Sequence, residues 1–258
     1  MNRPALRPAR SFALTWVRQE TLLLLREPIA VFFSLGFPLV ILAFIGTAYA
    51  EEEVDDGIRF IEIMFPALIG TVAANITTMG MPGYFADLRS RGVLKRYRSL
   101  PVPRWMIGAA IEGSLLVLLA LSTAIVAVAV GVVYGLRAEA LSPAFAVLML
   151  GLVAWLSALG LLLGALPYQA RTIQAVSAAV FFLMFFGSGY AAPIDGLPGW
   201  LQAVATWNPL RVWFDALVDV YLAQPLDVAT GAGLVATLAV AGATVPLSLR
   251  LLGREHAG

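Results

Sequence analysis

From Gly113 to Val133 the chain carries no charged side chain, and five further stretches share that property. An α-helix rises about 1.5 Å per residue, so roughly 20 apolar residues cross the hydrocarbon core of a bilayer. Inside that core the backbone can satisfy its amides and carbonyls only within a helix or a closed barrel. Uncharged runs of this length therefore dictate membrane-spanning helices, at about 29–49, 63–81, 105–134, 143–166, 172–190 and 228–249. Composition agrees, because 13% charged residues is about half the share of a soluble domain. The expected fold is an all-α polytopic membrane protein with six transmembrane helices.

Charge sets the orientation. The 84–104 stretch holds Arg89, Arg91, Lys95, Arg96, Arg98 and Arg104 against one acid, Asp87. Basic residues flanking spans are retained in the cytoplasm, so this loop is cytoplasmic, and six crossings put both termini on the same side. Arg59, Arg137 and Arg211 then lie outside, with the rest of the 17 bases inside. That places the protein in the cytoplasmic membrane, multi-pass. Residues 1–27 form an amphipathic elbow on the inner surface, with Ser11, Thr15, Arg18, Gln19 and Arg26 on the polar face and Trp16, Val17, Leu23 and Leu24 on the apolar one. Ala48-Tyr49-Ala50 has the look of a signal-peptidase site, but the apolar core and basic leader before it are both longer than a signal peptide's, so a retained helix is expected. Residues 28–250 make up the transmembrane domain and 251–258 a C-terminal tail.

Within the basic loop, Tyr84, Phe85 and Leu88 share one helical face. Gly92 interrupts, and Val93, Leu94, Tyr97 and Leu100 follow at helical spacing. Two short amphipathic helices are expected, meeting at the glycine. Such an element either lies on anionic lipid or seats in a groove of a soluble partner.

Several residues within the spans carry chemistry. Thr71, Asn75 and Thr78 form a polar stripe at i, i+4 and i+7, serving either interhelical hydrogen bonds or a translocation path. Gly160 and Gly164 form a GxxxG pair that permits close helix approach. Phe181, Phe182, Phe185 and Phe186 either pack the fifth span or bind a flat apolar compound, Phe181 and Phe185 being the path candidates. Glu112 is read as a charge at the cytoplasmic membrane boundary, within reach of the loop arginines. The acidic outer loop of Glu51, Glu52, Glu53, Asp55 and Asp56 lacks the alternating ligand spacing of a calcium site, and a solvated turn is expected there. Prolines and glycines break residues 191–224, while Asn208 and Pro209 are placed as N-cap and first residue of a helix that aligns Arg211, Asp215 and Asp219. This segment reads as a re-entrant hairpin entering from the outer face.

The run from Arg89 to Val102, RSRGVLKRYRSLPV, resembles the loop between the second and third membrane helices of ABC-2 type permeases, among them exporters of the daunorubicin-resistance kind. The usual family pattern is Arg-Glu-x-Gly-Thr-Leu followed by a Thr-Pro or Leu-Pro pair; here Ser90 stands for Glu and Val93 for Thr. Asn208-Pro209-Leu210-Arg211 resembles the Asn-Pro-Leu segment before the family's last helix, and the elbow, coupling loop, six spans and outer hairpin follow in family order. The resemblance implies that Leu88, Arg89, Arg91, Gly92, Leu94, Lys95, Arg96 and Tyr97 form a coupling helix docking on an ATP-hydrolysing subunit. It also implies a dimer of this chain with two ATPase subunits, ATP and Mg being held by the partners, and export of a small amphiphilic compound such as a drug, lipid or polysaccharide intermediate.

Other classes find less support in the residues. There is no G-x-x-x-x-G-K-[ST] loop, and the single lysine, Lys95, sits in the basic elbow, so no ATPase site of the usual kind is expected in this chain. With no cysteine and one histidine, His256, neither a metal site nor a cofactor bound by this chain is expected, and no nucleic-acid partner. A proton-coupled transporter using Glu112 or Glu62, and a non-transporting membrane scaffold, are the alternatives.

Overall fold

The computed structural model describes residues 9–55, 57–93, 104–190 and 198–254. Its elements are helical apart from one short hairpin. Helix α1 (Ala9–Leu24) is followed by α2, a rod over 28–49 built from Pro28–Val31, a π-helical turn Phe32–Gly36 and Phe37–Tyr49. Strands β1 (Glu53–Asp55) and β2 (Ile58–Arg59) pair antiparallel, and Glu51, Glu52 and Glu53 beside them are exposed. The remaining helices are α3 (Phe60–Ser90), α4 (Arg104–Val133), α5 (Pro143–Gly164), α6 (Ala170–Phe186), α7 (Gly199–Thr206), α8 (Pro209–Tyr221) and α9 (Val228–Arg254). Among the described residues, four helices are long and apolar enough to cross a membrane: α3, Gly108–Val133 of α4, α5 and Val228–Leu251 of α9. Ser34–Tyr49 of α2 and the whole of α6 are apolar but shorter.

Helix α3 is the central element, buried on nearly every side between α4, α5, α6 and α8. Its closest neighbour is α5, and the GxxxG pair explains how. A Cβ on Gly160 would lie 2.2 Å from the Thr77 carbonyl oxygen, and one on Gly164 would lie 3.3 Å from Pro82 Cα. Only small residues allow these backbones to meet. The contact falls on a π-helical turn, Ile76–Gly80, that precedes Pro82.

A second π turn has a matching proline and a visible compensation. Pro38 has no N–H, so the carbonyl of Ser34, four residues back, loses its helical donor. Ser122 Oγ of α4 donates to that carbonyl, and this bond pins α2 to α4. Helix starts are set locally: Ser142 Oγ accepts from Phe145 N at 3.1 Å ahead of α5, and Asn208 Oδ1 accepts from Leu210 N at 3.0 Å ahead of α8. Asn208 and Pro209 thus occupy the N-cap and first-turn positions expected of them.

The outer hairpin helix α8 is among the best buried, with Trp213, Phe214 and Leu217 inside the core. Trp200 and Trp207, by contrast, are exposed, as suits a lipid–water interface. Helix α9 is peripheral, packed on α5 and α8. Helix α1 lies along α4, turning Trp16, Glu20, Thr21 and Leu24 inward and leaving Arg18, Gln19 and Leu23 outside.

Candidate functional site

The polar stripe on α3 divides. Thr71 Oγ1 donates to the Ala67 carbonyl at 2.8 Å, and the Thr78 hydroxyl donates to the carbonyl of Ala74. Both therefore spend their hydrogen bonds on their own helix, and the expected interhelical bonds are absent from these two hydroxyls. Asn75 Nδ2 faces Met79 Sδ at 3.5 Å. Thr78 is fully buried, so of the two threonines only Thr71 reaches open space.

That space is a cavity of about 800 Å³ toward the Phe60 end of α3. Ile41 and Ile45 of α2, Ile63, Met64, Ala67, Leu68 and Thr71 of α3, and Phe185 and Phe186 of α6 line it. Polar groups gather at its outer end: Ser188, Tyr190, Gln202, Thr206, Arg211 and Asp215. Tyr190 Oη donates to Asp215 Oδ1 at 2.9 Å, while Arg211 Nε lies 3.5 Å from Asp215 Oδ2. Of the two path candidates on α6, Phe185 lines this cavity, while Phe181 is buried with its ring stacked on Phe185, centroids 5.7 Å apart. The volume fits a small-molecule site, for which roughly 300–1,000 Å³ is usual, and the lining joins an apolar wall to a polar end of nearly equal surface.

At the same end of α3 an ion-pair cluster joins the β-hairpin to the turn between α4 and α5. Arg137 Nε donates to Glu62 Oε1 at 2.7 Å, and the Arg59 amide donates to Glu62 Oε2 at 3.0 Å. The Arg59 guanidinium reaches Glu51 and the Tyr134 carbonyl, while the Arg137 amide donates to Tyr221 Oη at 3.2 Å. The hydrogen bond to Glu62 raises the pKa of the Arg137 guanidinium further, so it stays charged. Glu62 is thus fully engaged as an anion, which removes it as a proton carrier.

Glu112 is half-buried at a helix–helix contact, and most of the loop bases expected near it lie outside the described residues. It lies on α4 against α5, accepting from Ser157 Oγ at 2.6 Å through Oε1, and no arginine of the loop reaches it among the described residues. Its Oε2 is buried without a hydrogen-bond partner among the described residues.

The first half of the expected coupling element is the end of α3 itself. With 31 residues the helix is about 46 Å long, well over the roughly 30 Å of a hydrocarbon core, so its basic end stands clear. Phe85 and Leu88 pack into the protein's own core, Leu88 being 7% exposed. Leu88 therefore packs as a core residue and offers little surface of its own. Arg91 pairs with Asp87 at 2.9 Å, and Arg89 donates to the Gly164 carbonyl at 3.1 Å, satisfying the C-terminus of α5. Gly92 has φ +70, a left-handed conformation that glycine adopts freely, and it turns the chain away from α3. Leu94, Lys95, Arg96 and Tyr97 lie outside the described residues.

Sequence reasoning missed Glu20. On α1 it is 3% exposed, accepting from Trp16 Nε1 at 3.0 Å and from the Tyr84 hydroxyl. The only signal was its i+4 spacing from Trp16 on the inward face. Through Tyr84 it ties the elbow to the cytoplasmic end of α3. No group of three or more His, Cys, Asp or Glu side chains is arranged to hold a metal ion among the described residues.

Two comparisons bear on this arrangement. The profile of the ABC-2 type transporter family matches residues 13–222. The daunorubicin resistance ABC transporter permease protein DrrB1 of Streptomyces coeruleorubidus is 24% identical, over 99% of this chain and 91% of its own length.

Proposed function

Since the chain belongs to the ABC-2 type transporter family, we propose that it is the membrane permease of an ATP-driven exporter that moves a drug or another amphiphilic, lipid-like compound. In this reading six helices cross the cytoplasmic membrane, α2 and α6 among them, with both termini inside. Two copies work with two ATPase subunits, which hold ATP and Mg. The similarity to a daunorubicin-resistance permease supports a drug-like cargo.

One observation carries the mechanism. A single unbroken helix, α3, bears cavity-wall residues Met64, Leu68 and Thr71 at one end and Arg89 at the other. A push on the basic end, where Arg89, Arg91 and Gly92 lead into the cytoplasmic loop, tilts the same rod that walls the cavity. Closure of the ATPase pair would bring the two loops together and rock α3 and α4. The cavity, bounded on one side by α2 and α6, would then open alternately inward and outward at the seam between two copies. Tests are direct: the complex with an ATPase subunit should hydrolyse ATP in a way that an amphiphilic cargo stimulates, and Gly92→Pro, which forbids the left-handed turn, should abolish that stimulation. Hydrolysis of ATP by the permease chain alone would overturn the assignment.

A proton-coupled reading has one observation in its favour, the unpaired Oε2 of Glu112 within α4. It predicts that Glu112→Gln stops transport, whereas the ATP-driven reading predicts little change because glutamine keeps the bond to Ser157.

A further inference from the structure

We propose that Asp215 is the specificity-determining residue of the cavity: oriented by Tyr190, its carboxylate takes up a protonated amine of the cargo in exchange for Arg211. This rests on the exporter reading above and deepens it by fixing the charge of the compound carried. Asp215 and Arg211 stand on α8 at the polar end of the cavity, and Leu68, Phe185 and Phe186 belong to its apolar wall.

The two carboxylate oxygens are held unequally. Oδ1 accepts from Tyr190 Oη at 2.9 Å, whereas Oδ2 lies 3.5 Å from Arg211 Nε, one helical turn back, in a pair whose side chains are both 40% exposed. An i,i+4 ion pair of that length and exposure holds weakly, so an ammonium can replace the guanidinium while Tyr190 keeps Oδ1 in place. Burial pushes the pKa of the Asp215 carboxyl upward; its own surroundings leave the anion under-compensated, and a cation that enters makes up the difference. The hydroxyl that orients it is itself fixed. The Tyr190 ring meets Phe214 edge-on at 5.4 Å, and Phe214 fits against Gly70 of α3, where a Cβ would lie 2.6 Å from its ring.

The surroundings set the sign of the ligand. Asp219, one turn further along α8, feels the charges of both Asp215 and Asp227, so three acids gather near Arg211. The Arg59 guanidinium, at the same end of α3, is engaged by Glu51 and Glu62. Tyr190, Phe185 and Phe186 add aromatic rings, whose faces attract cations. Such an end favours an amine over a neutral or anionic group, and the adjoining apolar wall takes the rest of the molecule.

The measurement is equilibrium binding of two fluorescent probes to the full-length permease in bilayer discs of neutral phosphatidylcholine: an amphiphile with a primary amine, and the same compound with that amine acetylated. The unmodified protein should bind the amine about tenfold more tightly. Asp215→Asn should abolish that preference, Tyr190→Phe should reduce it about threefold, and Arg211→Gln, which clears Oδ2, should increase it. Equal binding of the two probes by the unmodified protein overturns the proposal, as does a preference that survives Asp215→Asn; both leave the exporter reading intact. Vesicles that also contain the ATPase subunit and Mg-ATP test that reading separately. Failure to move an amine probe that the permease binds selectively would defeat the exporter reading while the role of Asp215 stands.

Discussion

Glu62 and Arg137 meet at 2.7 Å across the outer face, joining the first turn of α3 to the turn that follows α4. Glu62 also receives the Arg59 amide, and the Arg137 amide reaches Tyr221 at the end of α8. Glu62 therefore ties the β-hairpin to the α4–α5 turn, and the Arg137 amide carries the link on to α8, joining the three as a cap on this end of the bundle. A carboxylate with so little exposed surface is costly to leave unpaired, so the cap holds together as a unit.

Removing that carboxylate should loosen the cap. Glu62→Ala is expected to destabilise the folded protein by about 2–3 kcal/mol, since it strands both a guanidinium and a helix-terminal amide. Arg137→Ala should cost less, because that side chain is partly exposed. A double-mutant cycle followed by unfolding in mild detergent should return a coupling of about 1–2 kcal/mol, and strictly additive costs would disprove the link.

Close approach of α3 and α5 should be intolerant of a single methyl group. Gly160→Ala places a Cβ against the Thr77 carbonyl and should cost about 1–3 kcal/mol through forced separation of the helices. Gly242→Ala on α9, where a Cβ meets nothing within 4 Å, should be neutral or slightly stabilising. Equal melting temperatures for the two variants would contradict the packing described.

The cap of α8 is a third test. Asn208→Ala removes the acceptor for the Leu210 amide and the donor to the Met184 carbonyl. A lost N-cap costs about 1–2 kcal/mol. Amides of the first turn of α8 should exchange with deuterium faster in the variant while those of α5 stay protected. Unaltered exchange at 210–212 would refute the role given to Asn208.

How much of this was readable beforehand depends on whether the signal was local. Four helices long and apolar enough to cross a membrane were legible because uncharged runs have one physical outcome in a bilayer, and Gly160, Asn208 and Pro209 because close packing and capping need particular residues at particular places. Leu88 was ambiguous, since an apolar face on a basic helix looks the same whether it meets a partner or the protein's own core. Phe181 and Phe185 sit one turn apart, and only tertiary packing buries the first and puts the second on the cavity wall. The Glu62–Arg137 bond spans 75 positions, beyond any periodicity. Glu20 sat in a helix read as interfacial, whose inward face proved to bury an acid against Tyr84.

Glu112 separates the two energy sources. With Ser157 as its only hydrogen-bond partner among the described residues, Glu112→Gln should leave the ATP-dependent transport rate within about twofold, a difference of roughly 0.4 kcal/mol. Complete loss of transport with the complex still assembled would move the driving force to a proton carried by this carboxylate.

The central claim is that this chain moves cargo only with energy delivered from outside the membrane through the end of α3. Uptake of a fluorescent amphiphile into inverted vesicles tests it most directly, with the permease present alone or together with its ATPase subunit. The account predicts accumulation only when both proteins and Mg-ATP are present, and its loss on Gly92→Pro. Accumulation by the permease alone under a pH gradient, without nucleotide, would contradict it.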